Sequence, residues 1–263
     1  MLSPLDLHQE GAATATLQWP AVCGEILRGL THALSNRIGL LTIGSTQLAT
    51  DTSDIEEAVA VLRDECTTFT SLLRLIRLLP PHDLNDASPA EPFSFGECVE
   101  EVVAIVRHHR IGRDAEVRVT GTDGLPAIWA RRIELRRALI TLLFAALRDA
   151  APRPDARHRD ARRPGENAAG AGKAIELSFR ADPHAVTLEI RAPQSAAESR
   201  RAFWSTAAYF SRAAGAELRS VSGSQEAPGD GEDASGAQEW PGTIELWIPT
   251  LAAVKAASRP ARR

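Results

Sequence analysis

The stretch LRGLTHALSNRIGLL, residues 27–41, sets His32 between Arg28 and Asn36, each four residues away and so one helical turn along the same face. A neutral imidazole presented outward on a helix is a nucleophile near neutral pH, and a neighbouring guanidinium can hold the oxygens of an oxyanion brought to it. Arg28 fits that second role, with Arg37 as further support, and Asn36 is of a type that can orient a water. By residue type and spacing alone, an exposed helical histidine beside an arginine is more often an ordinary solvated residue. The other histidines, His8, His82, His108, His109, His158 and His184, have no partner at metal-ligand spacing, so neither a metal nor a cofactor is expected. Trp204, Trp240 and Trp247 read as packing or rim residues.

The element carrying His32 must be a long helix. Leucines at 27, 34, 41 and 48, flanked by Ile26, Leu30, Ile38 and Leu40, make a heptad seam that predicts helix from about Pro20 to Thr50, with His32 opposite the seam. Ser53 and Glu56 have capping-box spacing, and Ile55, Val59, Leu62, Cys66, Phe69, Leu73 and Ile76 then predict a second helix that Pro80 and Pro81 stop. A short connection makes the two antiparallel neighbours. Seams this apolar exceed what one pair can cover, so either a second copy completes a four-helix bundle or the hairpin packs on its own chain.

After the linker PHDLNDASPAEP the pattern becomes mixed. FGECVEEVVAIVRHH, ARRIELRRALITLLFAALRDA and RAFWSTAAYFSRAAG read as helices; EVRVT, AIELSFR, AVTLEIRA, AELRSVS and TIELWIP read as strands. The fold class expected is α+β: a hairpin over residues 19–82 and an α/β sandwich, its sheet antiparallel or mixed with helices on one face, over 83–251. A loose N-terminus, 1–18, and a basic tail, 252–263, flank them. Two segments rich in Pro, Gly, Ala and charge, 151–173 and 223–242, have little to bury and are expected to be unordered.

Composition excludes several classes. In 263 residues, 44% are hydrophobic and the net charge is −4, which is ordinary for a globular protein and gives no sign of nucleic-acid binding. No apolar run spans a bilayer and no signal peptide opens the chain, so a cytoplasmic protein with no membrane partner is expected. Cys23, Cys66 and Cys98, an odd number without CxxC spacing, fit small core hydrophobes better than a disulfide framework or a zinc site.

The succession of elements from Trp19 to Thr250, with HALSN at 32–36 followed by IGLL, resembles the core of bacterial sensor histidine kinases. The resemblance implies a dimerising hairpin whose His32 accepts a phosphoryl group, followed by a sandwich of the GHKL type that in the family binds ATP. The ATP boxes depart from the family pattern. Thr141 and Ala145 stand where the family has asparagines, the second a magnesium ligand; Ala192, Pro193 and Gln194 replace the adenine-pocket motif; Phe203, Trp204 and Ser205 replace lid glycines, leaving Gly215. Ala33 replaces the acidic residue after the histidine. These departures resemble histidine phosphotransferases of the ChpT type, degenerate kinases that relay phosphoryl groups between response-regulator receiver domains without ATP. The resemblance thus implies receiver domains and a second copy of the chain as partners. Two alternatives remain: a non-catalytic pseudokinase that only binds a regulator, and a response-regulator phosphatase using Asn36.

Overall fold

The computed structural model describes residues 4–50, 55–81, 84, 88–108, 116–150, 174–192, 198–221 and 243–258. Helices α1 (Pro4–Thr50) and α2 (Ile55–Leu78) form the antiparallel hairpin. After them come β1 (Ala90–Phe93), α3 (Phe95–Arg107), β2 (Val117–Thr120), β3 (Ile128–Arg131), α4 (Arg132–Ala150), β4 (Ile175–Ala181), β5 (Ala185–Arg191), α5 (Glu198–Ala214), β6 (Glu217–Val221), β7 (Thr243–Pro249) and α6 (Leu251–Ala257). The capping box at Ser53 and both low-complexity segments lie outside the described residues.

The sandwich is a five-stranded mixed sheet in the order β2-β4-β5-β7-β6, with β2 parallel to β4 and the other pairs antiparallel. One face carries Ile175, Leu177, Val186, Leu188, Ile190, Ile244, Leu246 and Ile248, which share a single core with α3, α4 and α5. The other face carries ion pairs such as Arg191–Glu189 and Arg180–Glu245. That alternation is why a half-solvated sheet was legible. The turn ADPH closes because the Asp182 carboxylate accepts hydrogen bonds from the amides of His184 and Ala185 at 2.7 and 2.8 Å. Those bonds hold the Asp182 carboxyl below its usual range.

From Glu134 to Leu147 every residue of α4 is buried, so it is the central helix of the body. Glu101 on α3 pairs with Arg132 and Arg136 of α4 and lies 4.0 Å from Arg74 of α2, joining the hairpin base to the body.

Four expectations are corrected. First, α1 begins at Pro4 and passes straight through Pro20, where the sequence suggested a loose end. A helical proline costs about 3 kcal/mol. Thr16 and Pro20 are both exposed, so the carbonyl deprived of its amide partner faces water, while Ala15, Trp19 and Val22 are buried against the body. Burial of a tryptophan alone is worth about as much as the proline costs. Second, α1's buried stripe is Trp19, Val22, Cys23, Ile26 and Leu30, with Leu27 and Leu34 only half-buried. Third, Cys66 is exposed; only Cys23 and Cys98 are buried, and burial pushes their thiols up to about 11 and about 12. Fourth, Leu251–Ala257 is a helix capped by Thr250, whose hydroxyl accepts from the Ala253 amide, in place of the start of a tail.

Candidate functional site

His32 sits two residues beyond Leu30, the last fully buried residue of α1 among those described. Its ring is exposed, as are Arg28 and Asn36, and Asn36 Nδ2 lies 3.5 Å from His32 Nε2, the outer limit of a hydrogen bond. An amide N–H donating to Nε2 favours the tautomer whose proton is on Nδ1, and this long contact then rests on the Nε2 lone pair, which an incoming electrophile has to take over from Asn36. The neighbouring hydroxyls do not compete. Thr31 and Ser35 donate to the carbonyls of Leu27 and Thr31 on their own helix, at 2.8 and 3.0 Å. Ala33 is half-buried and packs on the core, so the position beside the histidine offers no group to it.

Arg37 does not join this set. Its Nη1 donates to both carboxylate oxygens of Glu65 on α2, at 2.6 and 2.8 Å, with side-chain exposures of 36% and 13%. One nitrogen of its guanidinium is thus engaged between the helices. Glu65 was missed by sequence reasoning, although its place three residues after Leu62 and four before Phe69 marks it as a charge in the stripe facing α1.

The face of α4 and α5 is closed. Thr141 is fully buried and its hydroxyl donates to the Arg137 carbonyl at 2.8 Å; Ala145 is buried. Phe203 packs on Phe144 with ring centroids 6.0 Å apart. The first half of α1 lies across α5. Thr206, fully buried, donates to Gln18 Oε1 at 2.7 Å, and Trp19 meets Phe210 edge to face at 5.8 Å. Arg137, 1% exposed, stands over the rings of both Trp19 and Phe210 and donates to the Pro81 carbonyl at 3.0 Å, the same oxygen that accepts from Trp19 Nε1. Gly215, at φ +86°, ends α5 and turns the chain into β6. Ala192 is half-buried; Pro193 and Gln194 fall outside the described residues, as do His82, His109, His158 and Trp240, and His8 is in the first turns of α1. Trp247 is half-buried beneath Arg219.

Solved structures to which the chain is similar include the histidine kinase AdeS of Acinetobacter baumannii, at 13% identity over 83% of this chain and 96% of that one, TM-score 0.37. A histidine kinase of Burkholderia phymatum matches at 15% identity over 89% and 97%, TM-score 0.40. A bacterial phosphotransferase matches at 11% identity over 94% and 98%, TM-score 0.36. The likeness concerns the order and kind of elements, and no residue role passes to this chain from it. No family model and no curated protein matches the chain.

Among the described residues no helix is long and apolar enough to cross a membrane, and no group of three His, Cys, Asp or Glu is placed to hold a metal ion. At His32 the structure presents an exposed imidazole with the Asn36 amide beside it and the exposed Arg28 one turn back on the same helix.

Proposed function

We infer that the chain is a histidine phosphotransferase of a two-component phosphorelay, working without ATP. The carrying observation is the exposed His32, with Asn36 at 3.5 Å and Arg28 a turn away, on a helix whose first half is fastened to the body. A receiver domain docks beside the hairpin, the long Asn36 contact to His32 Nε2 parts, and the freed Nε2 lone pair attacks the phosphorus of the receiver's aspartyl phosphate. The phosphorus–oxygen bond to the carboxylate breaks, the carboxylate leaves with the receiver, and the imidazole releases its Nδ1 proton to solvent. The acyl phosphate supplies the free energy, so transfer requires positioning and charge neutralisation, the latter from Arg28. A second receiver aspartate then takes the group by the reverse step.

Two features support the absence of a nucleotide. Thr141 and Ala145 are buried, and the space beside α5 is filled by Phe203 and by α1 itself. A second copy as partner is supported by Ile38, Leu40, Ile43, Ile55 and Val61, 47–57% exposed, around the far half of the hairpin.

The test is incubation with a receiver carrying labelled phosphate. Acid-labile label on the parent chain and none on His32→Ala, with unchanged melting, is the expected result. Release of all label to solvent, abolished by Asn36→Ala, would instead favour the phosphatase, and an unchanged receiver would leave only the binding protein. Calorimetric titration with magnesium-ATP should give no saturable heat; micromolar binding would overturn the nucleotide-free reading.

A further inference from the structure

The helix α1 carries two apolar faces. One is the observed stripe of Ile26, Leu30 and Ala33 turned inward; the other is Leu27, Leu34 and Leu41, all half-buried. At 100° per residue the two faces differ by a rotation of about 70°. Hydrophobic contact is non-directional, so apolar packing alone separates such settings poorly. Between the apolar levels of Leu30 and Leu41 stands one polar level, the pair Arg37–Glu65. The geometry points to this pair as the device that selects the rotational setting of α1, and so as a positioning pair for His32.

The physical case rests on direction. A guanidinium nitrogen 2.6 and 2.8 Å from the two oxygens of a carboxylate that is 13% exposed tolerates little rotation before both contacts are lost. Leaving Glu65 charged and unpaired between the helices is more costly than any loss of apolar overlap from a small turn. A polar pair at an otherwise apolar seam therefore trades stability for register. Arg37 directly follows Asn36, so the setting it imposes is passed along one rigid turn to Asn36 and His32. Near the tip, a Cβ added at Gly44 would lie 3.0 Å from Leu62 Cδ2, so the helices also approach closely there, yet that contact is apolar and gives no angular preference.

The role in transfer rests on the function proposed for His32, but the rotational setting can be measured without it. Three variants separate the cases: Glu65→Met alone, Arg37→Met with Glu65→Met, and the exchanged pair Arg37→Glu with Glu65→Arg. The double methionine variant is expected to melt at or above the parent temperature, while its His32 and Asn36 side-chain resonances broaden or double and transfer to His32 slows at least tenfold. Glu65→Met alone should lower melting and transfer together, and the exchanged pair should recover both. A double methionine variant with single, sharp His32 resonances at the parent positions overturns the proposal, whether or not the parent accepts phosphoryl. If instead the resonances change and the parent never accepts label, the pair sets the helix and the transferase reading fails.

Discussion

The two halves of the hairpin both carry apolar residues at helical spacing and have unlike surroundings. In the near half, residues 11–30 of α1 press on α5 and α4, and Ala15, Trp19, Cys23, Ile26 and Leu30 have no exposed surface. In the far half, residues 33–46 of α1 include none that is buried, and Ile38 and Ile43 are 50% and 57% exposed. An apolar stripe is thus satisfied by its own chain at one end and left for another surface at the other. Heptad spacing tells that a helix has a face to hide, not what will hide it.

Four measurements would break or sharpen this contrast. Trp19→Ala should have the largest effect, about 3–5 kcal/mol in urea denaturation, because it empties a buried site beside Phe210 and removes a ring from Arg137. A loss under 1 kcal/mol would mean that the near half is not docked in solution. Next, Gln18→Ala takes the acceptor from the buried Thr206 hydroxyl and should cost about 1 kcal/mol, less than a fully orphaned group because a helical threonine can bond back to its own turn.

The third concerns pH. The Cys23 and Cys98 thiols are raised to about 11 and about 12 from 9.0, so the folded state favours their neutral forms. Their contribution is complete below pH 9 and is lost as pH rises towards the folded values, at up to about 1.4 kcal/mol per pH unit for each thiol. Cys98→Ala should flatten that slope in urea titrations between pH 8 and 11, and a parallel curve would show that the thiol does not contribute. The smallest change in stability belongs to the far half. Ile38→Asp with Ile55→Asp should shift unfolding of the single chain by no more than about 0.5 kcal/mol. Light scattering should nevertheless show the mass fall from two chains to one. A parent already monomeric at micromolar concentration would remove the second copy from the proposed function.

Much of the fold could be read from the chain because period and burial agree there. Strands β4, β5 and β7 alternate cleanly, and from Ala138 to Leu147 α4 is apolar on every side but for Thr141 because it is buried all round. Strands β1 and β3 were missed: each has four residues, too few to establish alternation, and Pro92 argues against a strand by lacking an amide donor. The exposure of His32 followed from its position opposite the leucines, and that placement holds with the stripe one residue over. The pairing of Arg37 with Glu65 was illegible because a charge reads the same at the surface and between helices; only the carboxylate across the gap shows it. Helix before Pro20 was illegible for a similar reason, since GAATATLQ is weakly apolar and its partner surface on α5 lies far along the chain.

The unbroken passage of α1 through Pro20 bears on where this protein can be cut. A helix of 47 residues is about 70 Å long, and the first turns of that rod form one wall of the body. A fragment trimmed to begin at Trp19, where sequence alone would draw the boundary, would lack Gly11 and Ala15 and bare the flank of Tyr209 and the Thr206 hydroxyl to solvent. Such a fragment should be sticky and prone to precipitate, whereas trimming from the other terminus as far as Thr250 removes a helix with no buried residue. The two ends of the chain, alike in carrying short helical segments past the recognisable boundaries, are therefore unequal sites for attaching a tag or ending a gene.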